Sequence, residues 1–106
     1  MPNKYRRYEV LLPLQFNDGR FVPSEWINDA VFEIVTEFGA VSYETQKIEG
    51  HWEHAGTTYR DTLVRIVVDT SDTRENRAWM VAFKKRWLIK LDQIDLWVVS
   101  YRIEIE

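Results

Sequence analysis

The chain has 106 residues, of which 45% are hydrophobic and 29% charged, with a formal net charge of -3 and no cysteine. That length suits one domain spanning 1–106 with a single core, burying roughly two thirds of the surface its unfolded chain exposes. The acidic balance disfavours partners held mainly by phosphate neutralisation, so neither nucleic acid nor a membrane is expected, and without cysteine there is no disulfide, thiolate site or thiol nucleophile.

The basic start, Met1 to Tyr8, leads into an apolar stretch broken by Pro13 and Gln15 with no small-residue cleavage site, so no signal peptide is expected. No apolar run reaches membrane-spanning length, and the expected location is the cytoplasm. Residues 5 to 16 alternate, placing Tyr8, Val10, Leu12, Leu14 and Phe16 on one face and Leu11 on the other, which is a strand's period. Pro13 has no amide hydrogen, so a bulge or an unpaired position is expected there.

A helix follows, capped by Ser24 and closed by Gly39, with Trp26, Ile27, Ala30, Val31, Ile34, Val35 and Phe38 as its apolar stripe. Glu25, Asp29, Glu33 and Glu37 form an acidic ridge. Ala40 to Asp69 reads as a long hairpin, Val41, Tyr43 and Thr45 alternating outward and Val64, Ile66 and Val68 alternating back. If Ala55-Gly56 is a two-residue turn, Trp52 faces Tyr59 and His51 faces Arg60, with Gly50 as a bulge. Asp72 and Glu75 resemble a capping box for a second helix that ends near Leu91 and carries Trp79, Met80, Phe83, Trp87 and Leu88. Its outer face holds Arg74, Arg77, Lys84, Lys85, Arg86 and Lys90, and both charged ridges read as solvated faces. The last strand is expected over Ile94 to Ile105.

The resulting β-α-β-β-α-β order predicts an α+β domain of the ferredoxin-like split type, a four-stranded antiparallel sheet with two helices on one face. Its other face should be polar. Instead Leu11, Ile48, Trp52, Leu63 and Val67 fall there, an apolar patch of the kind that marks an interface, and a homodimer packed sheet against sheet is expected.

The stretch Glu49-Gly50-His51-Trp52-Glu53-His54 holds both histidines and looks like a metal motif. Residues three apart on a strand point to opposite faces, so His51 and His54 are weak candidates and no metal is expected. No Gly-x-Ser-x-Gly elbow and no glycine-rich phosphate loop occurs, and no cofactor is expected. The returning strand, Tyr59 to Val68, lacks the paired aromatics of RNA-recognition domains.

Gly50-x-Trp52, Gly56 and Asp61, together with Trp87-x-x-Lys90-Leu91-x-Gln93-x-Asp95-Leu96, resemble motifs of small bacterial ferredoxin-like proteins of unassigned function. In those proteins Arg and Phe stand at the positions of Lys90 and Leu91. The resemblance implies the fold and carries no active site. The leading expectation is therefore a homodimeric interaction or ligand-binding domain without catalytic machinery, with a further protein partner as an added option. The alternative is a cofactor-independent small-molecule enzyme of the dimeric α+β barrel type, whose pocket would be walled by Trp26, Tyr43, Trp79 or Trp87, with His51 or Tyr43 as its polar group.

Overall fold

The computed structural model describes residues 4–44 and 46–106. Met1 to Asn3, part of the basic start, and Thr45, read as a residue of the outgoing hairpin arm, lie outside the described residues. The chain runs through β1 (Tyr5–Pro13), α1 (Ser24–Phe38), β2 (Ser42–Tyr43), β3 (Ile48–His54), β4 (Thr57–Ser71), α2 (Arg74–Lys90) and β5 (Trp97–Ile103). This is an α+β architecture with two helices and an antiparallel sheet of five strands.

β1 is central, pairing with β4 on one side (Val10 opposite Ile66) and with β5 on the other (Val10 opposite Val98). The outgoing hairpin arm is two strands where one was expected. Ser42 and Tyr43 pair with Val67 and Ile66, whereas Ile48–His54 pair with Leu63–Thr57, so β2 and β3 share the edge of β4 across a break. At the break the Glu44 amide still donates to the Arg65 carbonyl at 2.9 Å.

Strand alternation sends Tyr8, Val10 and Leu12 of β1 and Val64, Ile66 and Val68 of β4 to the helix side, where all six are buried. Against them pack Ile27, Ala30 and Ile34 of α1 and Met80, Phe83 and Trp87 of α2, closed off by Leu91 and Leu96. Trp87 keeps its indole N–H satisfied by donating to Glu33 Oε2 at 2.5 Å, and Arg86 Nη1 meets Glu33 Oε1 at 2.7 Å. The acidic and basic ridges are thus joined at that point rather than both left to solvent.

Local signals account for most element ends, and several details differ from expectation. Gly39 closes α1 at φ 82, its amide donating to the Val35 carbonyl. The N-cap of α1 is Pro23 rather than Ser24, without a side-chain cap bond, because Ser24 already lies inside the first turn. At α2 the cap is Thr73, whose hydroxyl accepts the Asn76 amide at 3.1 Å. Asp72 is diverted elsewhere: its carboxylate, only 4% exposed, accepts from Arg6, Arg77 and Arg102 and ties β1, α2 and β5 together.

Pro13 is the last residue of β1, opposite Leu63, while pairing to β5 reaches only Leu11, so its missing amide hydrogen costs the ladder nothing. The hairpin turn is Ala55-Gly56, at φ 51 and 79, with Trp52 opposite Tyr59 and His51 opposite Arg60. Gly50 is no bulge. It stays in register opposite Asp61, and an added Cβ would come within 3.1 Å of Leu63 Cδ1, so glycine serves close packing there. β5 begins at Trp97 instead of Ile94, because the chain first turns at Asp92 (φ 51) and the Asp95 carboxylate accepts the Leu96 amide at 2.8 Å. Among the described residues no helix is long and apolar enough to cross a membrane.

Candidate functional site

Every second residue of the strands points away from the helices. Register places Arg7, Glu9, Leu11 and Pro13 of β1 beside Asp61, Leu63, Arg65, Val67 and Asp69 of β4, flanked by Ile48 and Trp52 of β3 and by Trp97, Val99 and Tyr101 of β5. Leu11, Ile48, Trp52, Leu63 and Val67 all lie on this face and all are half-buried. They do not form a uniform apolar patch, because the face divides into an aromatic groove and a charged band.

The groove, about 200 Å³, has Leu11, Pro13 and Leu63 as its floor, Trp52 and Trp97 as walls, and Gln93, Leu96 and the carboxylates of Asp61 and Asp95 at its margins. Trp52 is fixed twice. Its ring stacks on Tyr59 at 4.4 Å and 16°, the cross-strand pair that the two-residue turn dictates, and its Nε1–H donates to Asp61 Oδ2 at 2.6 Å. A charge-assisted bond of that length orients the Asp61 carboxylate beside the indole. Asp95 is committed to the Leu96 amide and to Lys84, 3.2 Å away. Trp97 is 61% exposed, so this wall stands open.

The charged band runs across the sheet. Arg65 meets Glu44 Oε1 through Nη1 at 3.1 Å and sets its Nε 3.1 Å from Glu9 Oε1. That second approach is close but poorly angled, so the Nε hydrogen is left without an aligned acceptor. Tyr101 donates its hydroxyl to Glu9 Oε2 at 2.6 Å, and this bond to the neutral phenol, with burial, raises the tyrosine pKa. Arg7 grips Asp69 through two parallel bonds of 2.7 and 2.9 Å.

The other candidates are dispersed. Trp79 stacks on Phe83 and sits edge-on to Phe38, Trp87 fills the core, and Trp26 packs edge-on against Phe16. Lys90 lies over both the Trp26 and the Trp87 rings, at 4.7 and 4.5 Å. Tyr43 is 47% exposed and borders a separate groove with Phe21, Ile27 and Asn28. These four aromatics do not enclose one pocket, since Trp79 and Trp87 pack in the core around Phe83, Trp26 packs on Phe16, and Tyr43 borders a separate groove. His51 lies 3.4 Å from Glu49, whose carboxyl pKa is lowered by Arg60 first and His51 second. His54 instead falls on the side of Trp52, with ring centroids 6.5 Å apart. Among the described residues no group of three His, Asp or Glu is placed to hold a metal ion.

Sequence reasoning missed Asp61, Trp97, Arg65, Glu9 and Tyr101 as a set. Their signal was same-face spacing of charged residues, two apart at 7 and 9 and four apart at 61, 65 and 69, but only cross-strand register shows that these rows adjoin.

No protein-family model matches the sequence, and no curated protein sequence matches it. Among solved structures, the chain is similar to a phage SAM lyase in complex with S-methyl-5'-thioadenosine, with a TM-score of 0.69 at 15% identity over 100% of this chain and 94% of that one. The same lyase in its apo state gives a TM-score of 0.64, again at 15% identity. The fold is thus shared over its whole length. The expectation of a domain without catalytic machinery is corrected by this finding, because the structural neighbour is an enzyme.

Proposed function

We propose that this chain is a small-molecule enzyme working without a cofactor, a lyase that cleaves S-adenosylmethionine (SAM) to S-methyl-5'-thioadenosine. The carrying observation is the Trp52–Asp61 pair facing Trp97 across an apolar floor, in a fold shared with a lyase captured with that nucleoside. A sulfonium nucleoside offers an aromatic base, which indole walls stack, and a cation, which indole faces and a carboxylate attract.

The chemistry needs no protein nucleophile. The substrate's own carboxylate attacks its γ-carbon, the bond from that carbon to sulfur breaks, and sulfur keeps the electron pair as the neutral thioether. The amino-acid half leaves as a lactone. Negative and positive charge cancel as the step proceeds, so a floor of Leu11, Leu63 and Pro13, which solvates separated charges poorly, favours the transition state over the bound zwitterionic pair. Asp61 binds and orients the cation, and its loss should raise KM more than it lowers kcat.

Two structural readings accompany this one. Taking β2 and β3 as halves of one interrupted strand gives the four-stranded, ferredoxin-like order. Self-association over the open sheet face would cover Trp97 and dry the groove. A cytoplasmic enzyme fits a substrate that cells make internally.

The test is incubation of the purified protein with S-adenosylmethionine, following methylthioadenosine by chromatography. Release above the spontaneous rate, lost when substrate is limiting in Asp61→Asn, is the expected result. No release at micromolar enzyme refutes the reading.

A further inference from the structure

The groove measures about 200 Å³, below the roughly 300–1,000 Å³ of ordinary small-molecule sites, so a ligand walled by Trp52 and Trp97 must extend beyond it. Along the strands the neighbouring ground is specific. Leu11, in the groove floor, is paired directly with Arg65 on one side and Trp97 on the other, so the charged band begins where the floor ends. We infer that Arg65, with Glu9 and Glu44, is the subsite that receives the α-amino-acid end of the substrate, Arg65 taking its carboxylate and the two glutamates its ammonium group.

The arrangement matches that chemistry in sign and in reach. An amino-acid terminus presents one anion and one cation side by side, and here one guanidinium stands between two carboxylates, 3.1 Å from each. Arg65 is held by attraction to Glu9 without an aligned bond from Nε, and its side chain remains 36% exposed, so it can offer a ligand carboxylate the paired geometry guanidinium favours by exchanging the Nη1 bond to Glu44, which is then released to the ammonium group. Asp61 and Arg65 are four residues apart on β4, about 13 Å between Cα atoms at a rise of about 3.3 Å per residue, a span both side chains shorten. A sulfonium near Asp61 can thus direct its amino-acid arm toward Arg65 while its nucleoside stays between the indoles. Tyr101 supports the subsite from the β5 side by fixing Glu9 at 2.6 Å.

The inference rests on the lyase reading, and the two fail differently. Methylthioadenosine lacks the amino-acid arm, whereas S-adenosylhomocysteine keeps it and, as a neutral thioether, is not cleaved, so calorimetric titration of these two ligands into wild type, Arg65→Gln and Glu44→Gln separates them. In Arg65→Gln the affinity for S-adenosylhomocysteine should fall at least tenfold while that for methylthioadenosine stays within twofold. Glu44→Gln, at the sheet edge with little bearing on folding, should show the same selective loss at about threefold. Equal losses for both ligands, or none for either, overturn the subsite and leave the lyase reading standing. Failure of wild type to bind either ligand overturns the lyase reading and the subsite with it.

Discussion

The Trp52–Asp61 hydrogen bond allows a prediction whose size follows from the geometry. Trp52→Phe keeps a ring over Tyr59, so the stacking at 4.4 Å survives and the main loss is the N–H that reaches Asp61 at 2.6 Å. Net, a bond to a charged group contributes about 1.5–3 kcal/mol when well enclosed. Both residues are half-buried, which argues for a value at or just below the bottom of that range, about 1–1.5 kcal/mol. Asp61→Ala removes the acceptor and leaves the indole N–H to find water. If the two side chains act as one unit, the double variant Trp52→Phe/Asp61→Ala should be little worse than the more damaging single, giving a coupling energy of about 1 kcal/mol. Urea denaturation followed by circular dichroism reads this as a midpoint shift of about 0.3–1 M, from a slope of about 1–3 kcal/mol per M. The same cycle on methylthioadenosine formation should be non-additive too, with Trp52→Phe raising KM because Asp61 loses its orientation. Additive losses in both cycles would refute the claim that Trp52 positions Asp61.

Three further outcomes follow from other parts of the molecule. Asp72 is held at a pKa of about 2, below the ordinary 3.8, chiefly by Arg6. Its contribution is therefore complete above about pH 4 and lost as pH falls through the folded value, so Asp72→Asn should lower stability at pH 7 and flatten the acid limb of thermal melts between pH 4 and 2. Ala55 occupies the turn at φ 51, a strained setting for an L-residue, so Ala55→Gly should stabilise by about 0.5 kcal/mol, a melting rise of about 2–4 °C by calorimetry. Phe83, fully buried and packed against the rings of Trp79 and Trp87, should cost about 3–5 kcal/mol as Phe83→Ala in chemical denaturation, through lost burial and the cavity left between those rings.

The open sheet face changes how its neighbouring features are understood. A five-stranded sheet with helices on one side leaves its other face to be managed, and here the two ends are managed differently. The Trp52 end is apolar and concave and suits a ligand. The Arg7 to Asp69 end is ion-paired and tolerates water. Asp72 supplies rigidity from the opposite side by joining Arg6, Arg77 and Arg102, which anchors the ends of β1 and β5.

What was legible in the chain itself was periodic and local. Alternation in Tyr8, Val10 and Leu12, the stripe of α1, the closing Gly39 and the Ala55-Gly56 turn each depend on interactions within a few residues, and each recurs in the structure. The turn even implied the Trp52–Tyr59 stack, since a two-residue loop leaves one register. Tertiary structure decided the rest. Asp72 looked like a cap because its spacing to Glu75 is a capping spacing, yet three arginines from β1, α2 and β5 offer a carboxylate more than one backbone amide can. The aromatics of the helices looked like pocket walls, but their facing rings fill the space. Glu9, Arg65 and Tyr101 are separated by 56 and 36 positions in the chain. Only the pairing of β4, β1 and β5 brings them within hydrogen-bond and ion-pair reach, because strand register is a long-range choice made by the whole core.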